Sequence, residues 1–188
     1  ALPGQIKVLY AGRLAREKGI DRLAEAFELA RLQDPRVHLV LAGGGPEEPR
    51  LRDRLGDDAT FLGWLTGTDL ARAYASADVF MFASRTDTFG QVILEAQASG
   101  LPVVAVGEGG PTSLIESGES GLLTGPNPSA MAEAVLSVVE QPWLADKLRQ
   151  GGLASVAERT WASALQRLAD GYDKALVVGS RELVEIAA

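Results

Sequence analysis

The chain has 188 residues, 46 % of them hydrophobic, and a formal net charge of −7, so one domain with a full core is expected and a basic nucleic-acid groove is not. It has no cysteine and a single histidine, His38, which excludes disulfides, a thiol nucleophile, a thiolate metal site and a histidine metal cluster. No run approaches the roughly 20 apolar residues of a membrane span and no signal peptide is visible; a cytoplasmic location is expected, and the start at Ala1, immediately before a strand, points to a piece of a longer protein.

IKVLYAG, residues 6–12, reads as a first buried strand. It leads through RLAREKG into a helix with Ile20, Leu23, Ala24, Phe27 and Ala30 at helical spacing. Strand, basic loop and helix make an anion-binding geometry, in which Arg13 offers a planar fork to phosphate oxygens and Lys18 a compact mobile charge. Ordinary surface Arg and Lys fit the same residues. Arg16 and Glu17 read as solvated loop charges.

VHLVLAGGGPEE, residues 37–48, is the next strand and turn. Gly43, Gly44 and Gly45 are not a dinucleotide fingerprint; they predict a tight turn where the backbone could approach a ligand. His38 reads as a satisfied strand residue rather than a catalytic base. EEPRLRDRLGDD predicts a short charged helix and a loop. TFLGWL, residues 60–65, is a short strand leaving through Gly63 toward Trp64 and Leu65. The helix of TGTDLARAYASA is expected to be capped near Thr68, with Leu70, Ala73 and Tyr74 inward.

DVFMFAS, residues 78–84, has the pattern of a strand covered on both faces. Thr88 followed by Gln91 fits a capping box, so a helix is predicted from Phe89, with Gly90 in its first turn leaving room for an approach to the backbone. Unpaired amides and the helix dipole there favour an anion. From Val92 to Ala98 the helix is apolar apart from Glu95 and Gln97, so it is expected to be largely buried, and Glu95 then needs a partner. Either an Arg from elsewhere in the fold or the hydroxyls of a bound ligand would serve; Gln91 lies on the same face, toward the anion site.

LPVVAVGEGGPTSLIESGESGLLTG, residues 101–125, predicts a strand, a glycine-rich loop and a short helix. Thr112 and Ser113 carry no assigned role. From Pro128 the pattern is helical: PSAMAEAVLSVVEQ, then PWLADKLRQGG, then TWASALQRLADGYDKAL. In the last of these Trp161, Leu165, Leu168, Tyr172 and Leu176 form an apolar stripe that must pack on its own domain, meet a second copy, or stay exposed.

Strands alternating with helices predict an α/β fold, a doubly wound parallel sheet. Asp87 and Glu95, enclosing TFGQVIL, followed by EAQASGLPVVA, resemble the donor-binding signature of the retaining family 4 glycosyltransferases of GT-B fold. That signature is Glu, seven residues, Glu; here its first position is Asp87, one methylene shorter. GRLAREKG resembles the family's Gly-Arg-Leu motif ending in Lys-Gly. The TDTFG wording is similar to a branch that includes GDP-mannose-dependent mannosyltransferases and sulfoquinovosyl transferases.

The resemblance covers nearly the whole chain. It implies a Rossmann-like half of a GT-B enzyme over residues 1–188, binding a nucleoside-diphosphate sugar, with 161–188 a crossover helix and tail and the amino-terminal acceptor domain outside the chain. On this reading Gly12, Arg13 and Lys18 hold the diphosphate. Amides near Phe89, Gly90 and Gln91 hold phosphate and sugar, Leu65 lies at the base, Glu95 takes the ribose hydroxyls, and Asp87 contacts the transferred hexose. The catalytic roles fall to Arg13, Lys18 and Asp87, no cofactor or metal is expected, and any membrane contact is expected through the other domain alone. A nucleotide-sugar epimerase built on the same plan, or a non-catalytic α/β nucleotide-binding module, remains an alternative; a hydrolase is disfavoured, since there is no G-x-S-x-G elbow.

Overall fold

Six short apolar segments lie side by side in one parallel sheet. In the computed structural model, which describes residues 6–87, 89–160, 162–163, 165–166 and 168–172, they are β1 (Ile6–Ala11), β2 (Val37–Ala42), β3 (Ala59–Gly63), β4 (Val79–Phe82), β5 (Val103–Val106) and β6 (Leu122–Thr124). Their order across the sheet is β3-β2-β1-β4-β5-β6, and every neighbouring pair is parallel. Helices that connect or flank them among the described residues are α1 (Ile20–Gln33), α2 (Glu48–Leu55), α3 (Gly67–Ala75), α4 (Gln91–Ala98), α5 (Pro111–Leu114), α6 (Pro128–Glu140) and α7 (Pro142–Ala157).

The period-two alternation of each strand divides the core into two layers. Val8, Tyr10, Leu39, Leu41, Val79, Met81, Val104 and Val106 face α1 and α6, where Ile20, Leu23, Phe27, Met131 and Val135 close over them. Leu9, Val40, Phe80, Phe82, Val103 and Ala105 face the other way, onto Tyr74 of α3, Ile93 and Ala96 of α4 and Leu114 of α5. Both faces are covered, and the central strands therefore read as continuous apolar runs. Burying one such side chain is worth about 1.5–3 kcal/mol.

Three expectations change. The segment after Ile115 adds a sixth strand, β6, a three-residue edge strand too short to carry a pattern of its own. α3 is preceded by Thr66 at its N-cap, not Thr68. The helix from Pro142 runs on through Gly151 and Gly152 to Ala157. The turn after β2 is tight, as expected, and packs on the chain itself: a Cβ on Gly43, at φ 142°, would lie 1.9 Å from the Gly12 carbonyl oxygen, and one on Gly45 would lie 2.3 Å from that of Leu14.

His38 behaves as a satisfied strand residue, its Nε2 lying 2.8 Å from the Thr60 hydroxyl. Burial and the nearby Arg31 lower its pKa, against a smaller opposing pull from Asp58. Among the described residues no helix is long and apolar enough to cross a membrane. Of the expected apolar stripe, Leu165, Leu168 and Tyr172 are exposed, while Trp161 and Leu176 lie outside the described residues.

Candidate functional site

The chain winds outward from β1 in both directions, so the β1–β4 junction is the topological switch point, where the loops leaving two adjacent strands diverge and open a crevice. The loop after β1 carries Gly12, Arg13 and, in a 3-10 turn of Arg16–Lys18, Lys18. The segment after β4 carries Asp87, Phe89 and Gly90 and enters α4 at Gln91. Sequence motifs 69 positions apart therefore meet.

They meet through named contacts. Lys18 donates from Nζ to Asp87 Oδ2 at 2.6 Å, and the Thr86 hydroxyl donates to the Glu17 carbonyl at 2.9 Å. The loop after β5 joins them, since the Gly110 amide donates to the Asp87 carbonyl at 2.8 Å. Burial alone would raise the Asp87 pKa; hydrogen bonds from Lys18 and from the Gly90 and Phe89 amides, with the Lys18 charge, outweigh it and hold the carboxyl below its ordinary value. Asp87 thus stays ionised at neutral pH, and its Oδ1 accepts from the Gly90 amide at 3.3 Å. A negative group already stands where a helix N-terminus and an ammonium favour one.

Arg13 lies outside this pair. Its guanidinium meets Glu17 at 3.3 Å, with both side chains more than half exposed, so the contact is a weak, screened one that another anion can displace. The backbone beside it is firmer: buried Tyr10 donates its hydroxyl to the Arg13 carbonyl at 2.9 Å, and burial, then the charges of Asp87 and Glu17, push the Tyr10 pKa up and keep it a donor. Arg16 pairs with Glu47, which makes it a surface charge as expected.

α4 departs from the sequence reading in two ways. It begins at Gln91 rather than Phe89, because Gly90 sits at the N-cap with φ 60°, and a Cβ there would lie 2.9 Å from Leu114 Cδ1. Gly90 therefore serves a left-handed turn tucked against α5; Thr88, the other half of the expected capping box, lies outside the described residues. The helix is also buried on one side only, through Ile93, Ala96 and Gln97. Gln91 is exposed and Glu95 half-buried on the opposite side.

Among the described residues Glu95 forms no ion pair. No Arg takes the place foreseen for one: the hydrogen bond comes from Tyr74, whose hydroxyl donates to Glu95 Oε2 at 2.9 Å. One further residue escaped the sequence reading. Ser84, just past β4, is 1 % exposed and its Oγ has no partner among the described residues; its only signal was a hydroxyl closing an apolar run. Trp64, beside Leu65, is exposed and turns its indole nitrogen toward Gly44, 2.9 Å from where a Cβ would stand. Leu65 is half-buried at the same end of the sheet.

Sheet order, flanking helices and the placement of charged groups at the switch point define a Rossmann-like α/β domain. Comparison with known proteins narrows the class. Residues 5–141 match the family described as glycosyl transferases group 1. Over 177 residues the chain is 34 % identical to the GDP-mannose-dependent alpha-mannosyltransferase of Corynebacterium glutamicum, covering 92 % of this chain and 40 % of that protein. The protein of the same name in Mycolicibacterium smegmatis is 38 % identical over 182 residues, covering 96 % and 46 %. Among solved structures, Anabaena Alr3699/HepE in complex with UDP and glucose superposes with a TM-score of 0.77 at 28 % identity, over 91 % of this chain and 49 % of that one.

The chain belongs to the glycosyl transferases group 1 family. Its fold is one Rossmann-like half of a GT-B glycosyltransferase, and it spans less than half the length of these relatives.

Proposed function

We propose that this chain is the donor-binding half of a retaining glycosyltransferase that takes a hexose from a nucleoside-diphosphate sugar. The observation that carries the reading is the meeting of Lys18 and the amino terminus of α4 on one carboxylate at the switch point. An ammonium and a helix N-terminus converging on one anion suit a diphosphate.

In this reading Gly12, Arg13 and Lys18 receive the diphosphate, and Arg13 exchanges Glu17 for a phosphate oxygen. The amides around Phe89, Gly90 and Gln91 take phosphate and sugar oxygens. Leu65 lines the base through its backbone, Glu95 grips the ribose diol, and Asp87 turns to the hydroxyls of the transferred sugar. As the glycosidic bond breaks, negative charge grows on the leaving diphosphate. Lys18, Arg13 and the α4 dipole stabilise it without calling on a metal. A diphosphate oxygen accepts the proton of the acceptor hydroxyl on the face from which it departs, which retains configuration.

The mannosyltransferase relatives favour GDP-mannose as donor, with a UDP-sugar as the second candidate on the likeness to the UDP and glucose complex. The acceptor site falls to an amino-terminal domain of the same enzyme, and the exposed Leu165, Leu168 and Tyr172 suit a docking face for that domain or for a second copy. The reading is tested by amide chemical-shift mapping of the chain with GDP and with UDP. Shifts gathered on Gly12–Gly19 and Asp87–Glu95 are expected. Shifts confined to the groove between α1 and α2, lined by Phe27, Arg31 and Arg54, would contradict it.

A further inference from the structure

Tyr74 is the residue of the α3–α4 contact that the proposed reaction leaves unused. It is 2 % exposed in an otherwise apolar layer, its ring packed on Phe80 of β4 with centroids 5.7 Å apart. A buried phenol in such a layer must find an acceptor for its hydroxyl. It finds Glu95 Oε2 at 2.9 Å, across from one helix to the next.

The choice of partner is informative. Glu95 is half-buried, and among the described residues no Arg or Lys reaches it. A cation at that place would neutralise the carboxylate and compete for both oxygens. A phenol does neither: it donates one hydrogen bond to one oxygen and leaves the full charge and the second oxygen, Oε1, open. Burial, then the Glu95 charge and the shared hydrogen bond, push the Tyr74 pKa up, so it donates throughout the working pH range. Were the contact only a means of satisfying the phenol, a glutamine amide oxygen would serve equally well.

We propose that Tyr74 is a positioning residue, which locks the Glu95 carboxylate in one rotamer with Oε1 presented to the ligand, and so sets the preference of the site for a ribose carrying its vicinal diol. The proposal rests on the reading of Glu95 as the ribose ligand. One hydrogen-bonding oxygen held in place loses less rotamer freedom on binding than a swinging carboxylate, and a diol then meets a preorganised acceptor.

The test measures binding of GDP and of 2′,3′-dideoxy-GDP by titration calorimetry to the wild-type chain, Tyr74→Phe, Glu95→Gln and the double variant, with UDP and its dideoxy form in parallel. Wild type should prefer the ribose form. Tyr74→Phe keeps the ring on Phe80 and should lose about 5–10-fold affinity for the ribonucleotide, in keeping with one charge-assisted hydrogen bond, with dideoxynucleotide affinity unchanged. In the Glu95→Gln background Tyr74→Phe should change neither. An equal loss for both nucleotides in Tyr74→Phe, or an undiminished ribose preference, overturns the positioning role while leaving Glu95 as the ribose ligand. Absence of ribose preference in the wild type overturns that reading of Glu95, and the role of Tyr74 with it. Glu95→Gln supplies a second readout that leaves the aromatic packing untouched: a ribose preference equal to wild type there also counts against both.

Discussion

Lys18 Nζ and Asp87 Oδ2 stand 2.6 Å apart, at the point where the loops leaving β1 and β4 diverge. Asp87 also accepts from the Gly90 amide at the start of α4. In the free chain the carboxylate thus engages both groups that the proposed diphosphate needs, and donor binding must displace it from Lys18.

Removing that carboxylate should therefore tighten binding of the nucleoside diphosphate while spoiling recognition of the sugar. Asp87→Asn is expected to raise GDP affinity severalfold, in keeping with roughly 1 kcal/mol for a partly exposed ion pair, and to lower the affinity ratio of GDP-mannose to GDP. Competition binding with the two ligands measures both. A weaker hold on GDP in the variant would show that Asp87 supports the phosphates instead of competing with them.

The turns after β1 and β2 depend on an absent side chain. Gly43→Ala would drive a methyl into the Gly12 carbonyl from a left-handed backbone, at an expected cost of at least about 2 kcal/mol. Urea unfolding gives the figure directly, and a loss below about 0.5 kcal/mol would mean that the two loops are not packed as described. The same variant should weaken nucleotide binding, since Gly12 opens the loop that carries Arg13 and Lys18.

Asp34 gives the fold an acid-sensitive element away from the site. Its carboxylate accepts from the Arg36 side chain and amide, which hold its pKa at about 2 against an ordinary 3.8. The folded chain keeps this charge to lower pH than the unfolded chain does. The pair therefore stabilises the fold fully above about pH 4, and that contribution is lost as the pH falls through about 2. Asp34→Asn should be less stable than wild type at pH 7, and the gap should close below pH 4. A gap independent of pH would assign the effect to packing.

The chain alone should bind donor and transfer almost nothing, because the acceptor site is assigned to another domain. Incubation with radiolabelled GDP-mannose and a panel of acceptors, with and without the remainder of the full-length protein, measures this. Turnover by the 188 residues at a rate near that of the complete protein would contradict the division of labour.

Much of this molecule was legible in its residues. Apolar runs such as IKVLYA and VFMF announce strands covered on both faces, and Ile20, Leu23 and Phe27 announce the buried side of α1. The two charged motifs were legible for the same reason, each lying just past a strand. What escaped depended on tertiary contacts. Gly90 reads as a first-turn residue, whereas its left-handed turn against Leu114 places it at the N-cap, and the apolar run after it suggests a largely buried helix although one side faces outward. Glu95 called for a partner, but a phenol on the preceding helix, 21 positions away, carries no local signal. β6 has three residues, too few for a period.

The most direct test of a donor site at the β1–β4 switch point is calorimetric titration of the chain with GDP, UDP and ADP, repeated on Glu95→Ala and on the double variant Arg13→Ala, Lys18→Ala. The account predicts that one diphosphate binds clearly better than the others and that both variants lose at least tenfold of that affinity, about 1.4 kcal/mol, while unfolding at the same urea concentration. Undiminished binding in both variants would contradict it and place the nucleotide elsewhere on the domain.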